Sequence, residues 1–319
     1  METSDTKHVV SVSLGSAKRN KTVQADILGE HFIIERTNAL DLEDGVRKIA
    51  ALDGKVDAIG LGGIDLYLMA GERKYVVRDA QKLASAAKVT PIVDGSGLKN
   101  TLERETINYL VANELLHPEQ ASRGVEKLRV LIVSAVDRFG VAEAVAQLGC
   151  PVLYGDFIFA LGIPLPIRSI GMIRLLARTL LPIICRQPYE KIYPLGEKQD
   201  TIQPKYGKYY QWADVIAGDF HLIRKHMPAV PKDPEAPLPL AGKCIVTNTT
   251  TAENVAELRA RGLARLVTST PVFDGRSFGT NVMEGVLVTL LGKRPEELTP
   301  PDYLAKLAEI GWKPQVQDL

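Results

Sequence analysis

The chain has 319 residues, enough for two domains of ordinary size. Its 45% hydrophobic and 24% charged composition is that of a globular protein, and a formal net charge of +1 excludes the basic excess of a nucleic-acid binder. The three cysteines, Cys150, Cys185 and Cys244, have no CxxC spacing, which excludes a disulfide framework and a zinc site.

Residues 1–7 are polar and contain no apolar signal core. The most apolar stretch, 157–185, is broken by Pro164, Pro166 and Pro182 and carries Arg168, Arg174 and Arg178. A spanning helix needs about 20 consecutive apolar residues, so no transmembrane segment is expected. The expectation is a cytoplasmic protein with no metal and no nucleic-acid partner.

In chain order, residues 9–14 read as a strand, and 22–28 with 32–35 read as a hairpin about Gly29-Glu30. Residues 41–52 have helical spacing, with Leu42, Val46, Ile49 and Leu52 on one face and Gly54 as the stop. A short strand, 56–61, runs into Gly62-Gly63, either an anion-binding turn or a tight turn alone. After a helix at 79–87 and a strand at 91–93 comes Asp94-Gly95-Ser96-Gly97-Leu98-Lys99, which opens a helix over 98–116. Unpaired N–H groups and the helix dipole favour an anion there, with Lys99 and Arg104 adding charge. Ser96 is a candidate substrate ligand or a plain helix cap. The segment lacks the GK[ST] ending of a Walker A loop. A polar linker at 117–124 places the expected domain boundary at residue 122.

The second half repeats strand, loop and helix, the pattern of a parallel sheet. The run 128–133 is continuously apolar, as in a strand buried on both faces. The turn after it holds Ser134, Asp137, Arg138 and Gly140, the last the single glycine of what would be a GxGxxG fingerprint. A helix at 141–148 and a strand at 151–154 lead to Asp156. A dinucleotide fold places its ribose-binding acid about 20 residues beyond the first strand, and an acid there favours NAD over NADP. Later strand ends supply Asp219 and His221, then Asn248, Thr249 and Thr250, then Ser269 and Thr270. Short polar side chains at strand carboxyl ends are placed for a ligand, with helix capping as the competing account. In the loop 273–281, Arg276 suits a substrate carboxylate or phosphate, with a structural pair to Asp274 as the competing account, and Asn281 precedes an apolar helix at 282–291. An insert at about 157–211 reads as a segment packed against the neighbouring domain, or as a lid, an arm of a homodimer, a cover over an apolar substrate or a membrane-surface helix.

The segments Ala213-Asp214-Val215-Ile216 and Leu240-Ala241-Gly242-Lys243 resemble the later strands of the cofactor domain in shikimate and quinate dehydrogenases. The whole chain also resembles bacterial proteins labelled quinate 5-dehydrogenase. That resemblance implies NAD or NADP as cofactor and a catalytic lysine–aspartate pair, for which Lys99 is the nearest positional match. Gly97-Leu98-Lys99 departs from that family's motif. A second resemblance links Val56-Asp57-Ala58-Ile59 and Gly62-Gly63 to the glycine turn of butyrate-kinase-like phosphotransferases.

The expected fold is α/β: an N-terminal α/β domain with initial β-hairpins, 1–122, and a C-terminal Rossmann-type parallel-sheet domain, 123–319. The expected function is an NAD(P)-dependent oxidoreductase acting on a small hydroxylated or carboxylated substrate. Lys99, Asp219 and His221 are its acid/base candidates. The alternatives are a non-redox nucleotide- or metabolite-binding protein and an ATP-dependent phosphotransferase or ligase.

Overall fold

Runs of β-branched residues set the first sheet. The computed structural model describes residues 6–15, 17, 20–71, 73–192, 202–270, 272–273, 276–277 and 279–319, with backbone alone for 272–273 and 276–277. β1 (Lys7–Ser13) is buried on both faces beyond its first two residues, whereas β2 (Lys21–Ile27) alternates buried and exposed as an edge strand does. β2 and β3 (Glu30–Asn38) form the expected hairpin. Helix α1 (Leu42–Leu52) is capped by Asp41, whose carboxylate accepts from Asp44 N, and it carries the chain to β4 (Ala58–Gly62). A small hairpin of β5 (Tyr67–Ala70) and β6 (Arg73–Val76), then α2 (Arg78–Ala84), precede β7 (Ile92–Val93). The sheet order is β2-β3-β1-β4-β7, parallel except for β2. The chain therefore reverses its direction of strand addition between β1 and β4.

Helix α3 (Ser96–Ala112) and the short α4 (Gln120–Arg123) lead to a second sheet. Its strands are β8 (Val130–Ile132), β9 (Val152–Tyr154), β10 (Val215–Ala217), β11 (Cys244–Thr247) and β12 (Arg265–Thr268). The helices between them are α5 (Phe139–Ala146), α6 (Ile170–Ile184), α7 (Tyr189–Ile192), α8 (Gly207–Trp212), α9 (Phe220–His226) and α10 (Ala252–Ala260). Val130 and Ile132 pack into one buried cluster and Leu131 and Val133 into another, so helices cover both faces. Beyond the β13 (Val272–Phe273) and β14 (Arg276–Ser277) pair come α11 (Thr280–Leu291), α12 (Pro300–Glu309) and β15 (Gln315–Asp318). The second sheet has the order β15-β12-β11-β10-β8-β9 and is parallel except for β15. Its reversal point lies between β8 and β10.

The α/β class with parallel-rich sheets is as expected, but the division at residue 122 is corrected. Unit 1 comprises Met1–Thr101, Thr179–Gln199 and Pro271–Trp312, and unit 2 comprises Leu102–Arg178, Asp200–Thr270 and Lys313–Leu319. The physical reason lies in α11, whose Val282, Met283, Val286, Leu287 and Val288 are all buried. A helix apolar all round must be covered. It packs on β1 and β4 of unit 1, where a Cβ added to Gly285 would lie 2.8 Å from Val9 Cγ1. The expected insert at 157–211 is likewise shared between units. Its part in unit 1 is tied there by Arg78 N donating to Cys185 O (2.9 Å) and Tyr189 N donating to Asp79 Oδ2 (3.0 Å). Among the described residues no helix is long and apolar enough to cross a membrane.

Candidate functional site

In open α/β sheets ligands lie beyond the strand carboxyl ends at the reversal point. In unit 2 that point is bounded by the 133–138 loop after β8 and by Gly218-Asp219 after β10. In the β8 loop two amides are engaged by an internal carboxylate. Asp156 accepts from Ala135 N at 3.1 Å and Val136 N at 2.9 Å. Burial pushes the Asp156 carboxyl up to about 6, and the nearby Asp137 charge adds to the shift, against the two amide bonds. Gly140 is buried inside α5 rather than lining an open turn. Asp156, the acid expected at a ribose, is bonded to the loop expected at a pyrophosphate.

The centre of the site is Arg138. Its side chain is 5% exposed, and it is surrounded by three carboxylates, those of Glu103, Asp137 (3.1 Å) and Asp219 (2.9 Å). Asp219 also accepts from Asn248 Nδ2 at 3.2 Å and caps α9 by accepting from His221 N at 2.9 Å. Thr270 Oγ1 donates to Asn248 O at 3.1 Å, and Thr247 Oγ1 donates to Gly218 O at 2.8 Å. One polar network thus runs across the ends of β8, β10, β11 and β12. Ser134, His221, Thr249 and Thr250 stand half-buried along the same strand ends. Gly218 makes the β8–β10 approach possible. Its φ is +142°, and a Cβ there would meet Val133 Cγ2 at 2.4 Å.

Chemically the network is rich in acceptors. Three carboxylates meet the Arg138 guanidinium. Hydroxyl and amine donors find oriented oxygens among them. Glu103, from α3, was missing from the sequence-derived candidates. It lies 35 residues from Arg138 in the chain, and no local spacing connects them.

The candidates that fall in unit 1 have other work. Lys99 is paired with Asp65 at 2.6 Å, with both side chains largely buried. The α3 start is not an open anion site. Glu284 accepts from Gly95 N (2.6 Å), Gly97 N (3.1 Å) and Tyr303 Oη (3.0 Å), and Asp94 accepts from Ser96 N (3.0 Å). Internal carboxylates therefore hold the amides that a phosphate or a Ser96 cap was expected to meet. Burial and the neighbouring Asp94 charge push Glu284 up to about 7 against these hydrogen bonds. A lone acid in an otherwise apolar helix was the signal for it. Arg104, expected to add charge at that helix start, instead pairs with Glu143 at 2.5 Å in unit 2. Asn281 donates to Ser11 Oγ at 2.8 Å and packs on Gly60. The Arg276 side chain lies outside the described residues. A cavity of about 420 Å³ sits at the opposite, amino ends of the unit 1 strands, lined by Lys7, Asp57, Pro91 and Lys293 among others. No group of His, Cys, Asp and Glu among the described residues has the arrangement of a metal site.

A family model described as Domain of unknown function (DUF8754) matches residues 97–319, and a second, Domain of unknown function (DUF8753), matches residues 8–94. No curated protein matches the chain. Among solved structures, the chain is similar to a hetero-hexameric glutamate dehydrogenase from Thermus thermophilus, at 12% identity and a TM-score of 0.45, covering 96% of this chain and 74% of that one. It is also similar to a periplasmic ribose ABC transporter protein from Conexibacter woesei, at 11% identity and a TM-score of 0.39, covering 91% and 88%. A putative malic enzyme is similar at 12% identity and a TM-score of 0.35, covering 95% and 84%.

Proposed function

The chain belongs to the family described as Domain of unknown function (DUF8754); since that name carries no activity, we propose from the site itself that unit 2 binds a small, neutral, polyhydroxylated metabolite. The observation that carries the proposal is Arg138, buried among Glu103, Asp137 and Asp219 at the sheet's reversal point. Fixed carboxylates and carboxamides that are themselves hydrogen-bonded make good acceptors for sugar or cyclitol hydroxyls, because their orientation costs nothing further on binding. The half-buried Thr249 and Thr250 supply adaptable donors beside them.

A nicotinamide-dependent oxidoreductase is the second reading. Asp156 follows β9, where a dinucleotide fold places its ribose acid, and Asp219 and His221 are then the acid/base candidates. It requires a pyrophosphate beside Asp137 and against amides that Asp156 already occupies.

Calorimetry with a panel of hexoses and cyclitols, and with NAD+ and NADP+, separates the two. The expected result is saturable polyol binding that Asp219→Asn weakens by about tenfold or more, with Thr250→Val weakening it without loss of fold. Saturable dinucleotide binding with no polyol binding would replace the first reading by the second. No binding of either class at millimolar ligand ends both.

A further inference from the structure

The polyol site makes no use of the segment of unit 2 that follows β9. Among the described residues, five of the twelve exposed large apolar side chains fall within residues 161–175. They are Leu161, Ile163, Leu165, Met172 and Leu175, each 47–57% exposed. A single exposed leucine needs no account, but a run of them marks a surface that meets something apolar.

Internal bonds fix the first part of this surface. Ile163 N donates to Phe157 O at 2.8 Å, and Leu165 N donates to Ile163 O at 2.7 Å. Tyr206 Oη donates to Gly162 O at 2.7 Å, and Tyr209 Oη donates to Pro164 O at 3.2 Å. Beneath the loop the rings of Tyr206 and Tyr209 stand edge-on to Phe159, with centroids 6.2 and 6.5 Å away. The backbone of 161–165 is thus anchored while its leucines and isoleucine stay outside, so docking them orders little that is not ordered already. Helix α6 continues the surface. Ile173 is buried in the core, with Ile170 and Leu176 packed against the same cluster, whereas Met172 and Leu175, three residues apart, face outward. A helix apolar on both sides is either covered or set at an apolar boundary.

Charge decides which boundary fits. The chain as a whole is balanced, with 39 basic and 38 acidic residues. Residues 157–178 and 202–212, joined by the two tyrosine bonds, contain no Asp or Glu, yet they carry Arg168, Arg174, Arg178, Lys205 and Lys208. All five cations are exposed. Arg174 pairs with Glu143 of α5, a carboxylate that Arg104 also holds. Lys208 Nζ lies 5.0 Å from the ring centre of Tyr209, at the edge of the same surface. A second copy docking face to face would set these cations against their own kind. Protruding apolar side chains rimmed by cations and tyrosines match the boundary between acyl chains and anionic headgroups.

We propose that the 161–165 loop and the outward side of α6 up to Arg178 dock on an anionic lipid bilayer. Leu161, Ile163 and Leu165 enter the acyl boundary, and Arg168, Arg178, Lys205 and Lys208 meet headgroup phosphates. The proposal is independent of the polyol site, whose residues it does not involve.

The test sediments the full-length protein with vesicles of phosphatidylcholine alone and with vesicles that also contain phosphatidylglycerol. Binding to the anionic vesicles about tenfold or more tighter than to the neutral ones is expected, and added salt should weaken it. The double variant Leu161→Ser, Leu165→Ser is expected to weaken binding by about tenfold or more, and Arg168→Gln by about fivefold. Val89→Ser, at an exposed apolar position of unit 1, should leave it unchanged. Circular dichroism confirms that each variant is folded. Absence of binding to the anionic vesicles overturns the proposal, as does equal binding to both kinds or binding that the folded double variant leaves unchanged. Dimerisation in ultracentrifugation that the double variant abolishes, without vesicle binding, overturns it in favour of a second copy.

Discussion

Two carboxylates, the half-buried Asp156 and the buried Glu284, occupy the positions where the sequence pattern anticipates a ligand's anion. Each is held by backbone amides, and in each the loss of solvation outweighs those bonds and raises the pKa. For Glu284 the consequence is a defined pH dependence. Its ordinary value of 4.5 rises to about 7 in the folded protein, so the folded state binds a proton more tightly than the unfolded state. The stabilising contribution is fully present below about 4.5 and is lost as pH rises through about 7. A shift of this size corresponds to roughly 3 kcal/mol. Urea denaturation at a series of pH values should show stability falling across that window from this source. In Glu284→Gln the fall should be absent, even though the variant is less stable at low pH because an amide N–H then faces Gly95 N or Gly97 N. An unchanged pH profile in the variant would remove Glu284 as its cause.

At the scale of elements, much of the fold is legible in the chain. The continuous apolar run at β8, the capping of α1 by Asp41 and the hairpin of β2 and β3 each follow from local chemistry. The polar strand ends of unit 2 were legible too, since Asp219, Asn248 and Thr270 do join one network. What was not legible depends on distant partners. Glu103 and Glu284 reach their sites across 35 and 189 residues respectively, and no periodicity encodes those pairings. The packing of α11 on β1 is of the same kind, and it makes a sharp prediction. Gly285 lets the helix lie against Val9, and Gly285→Ala should cost about 1–3 kcal/mol through overpacking. Val9→Ala in the same chain should recover part of that loss, giving a double-mutant coupling of about 0.5 kcal/mol or more. Strict additivity would mean that α11 does not meet β1 at Gly285.

Across the whole molecule, the chain crosses between its two units five times, at residues 101–102, 178–179, 199–200, 270–271 and 312–313. Neither unit is therefore a continuous stretch of sequence. Cutting at residue 122, where the polar linker suggests a boundary, would remove α11 from the sheet it covers. Val9, Ala58 and Val93, all buried, lie within reach of Gly285 on that helix. Exposing such a face forfeits about 25 cal/mol for each Å² of apolar surface uncovered, against a net stability of only about 5–15 kcal/mol for a whole domain. A fragment spanning residues 1–122 should therefore lack the dispersed amide resonances of a folded protein. Adding residues 271–312 through a flexible linker should restore dispersion, because it returns α11 and the Glu284 bonds to Gly95 and Gly97. A 1–122 fragment that unfolds cooperatively on its own would show that the sheet of unit 1 is stable without its returning helix.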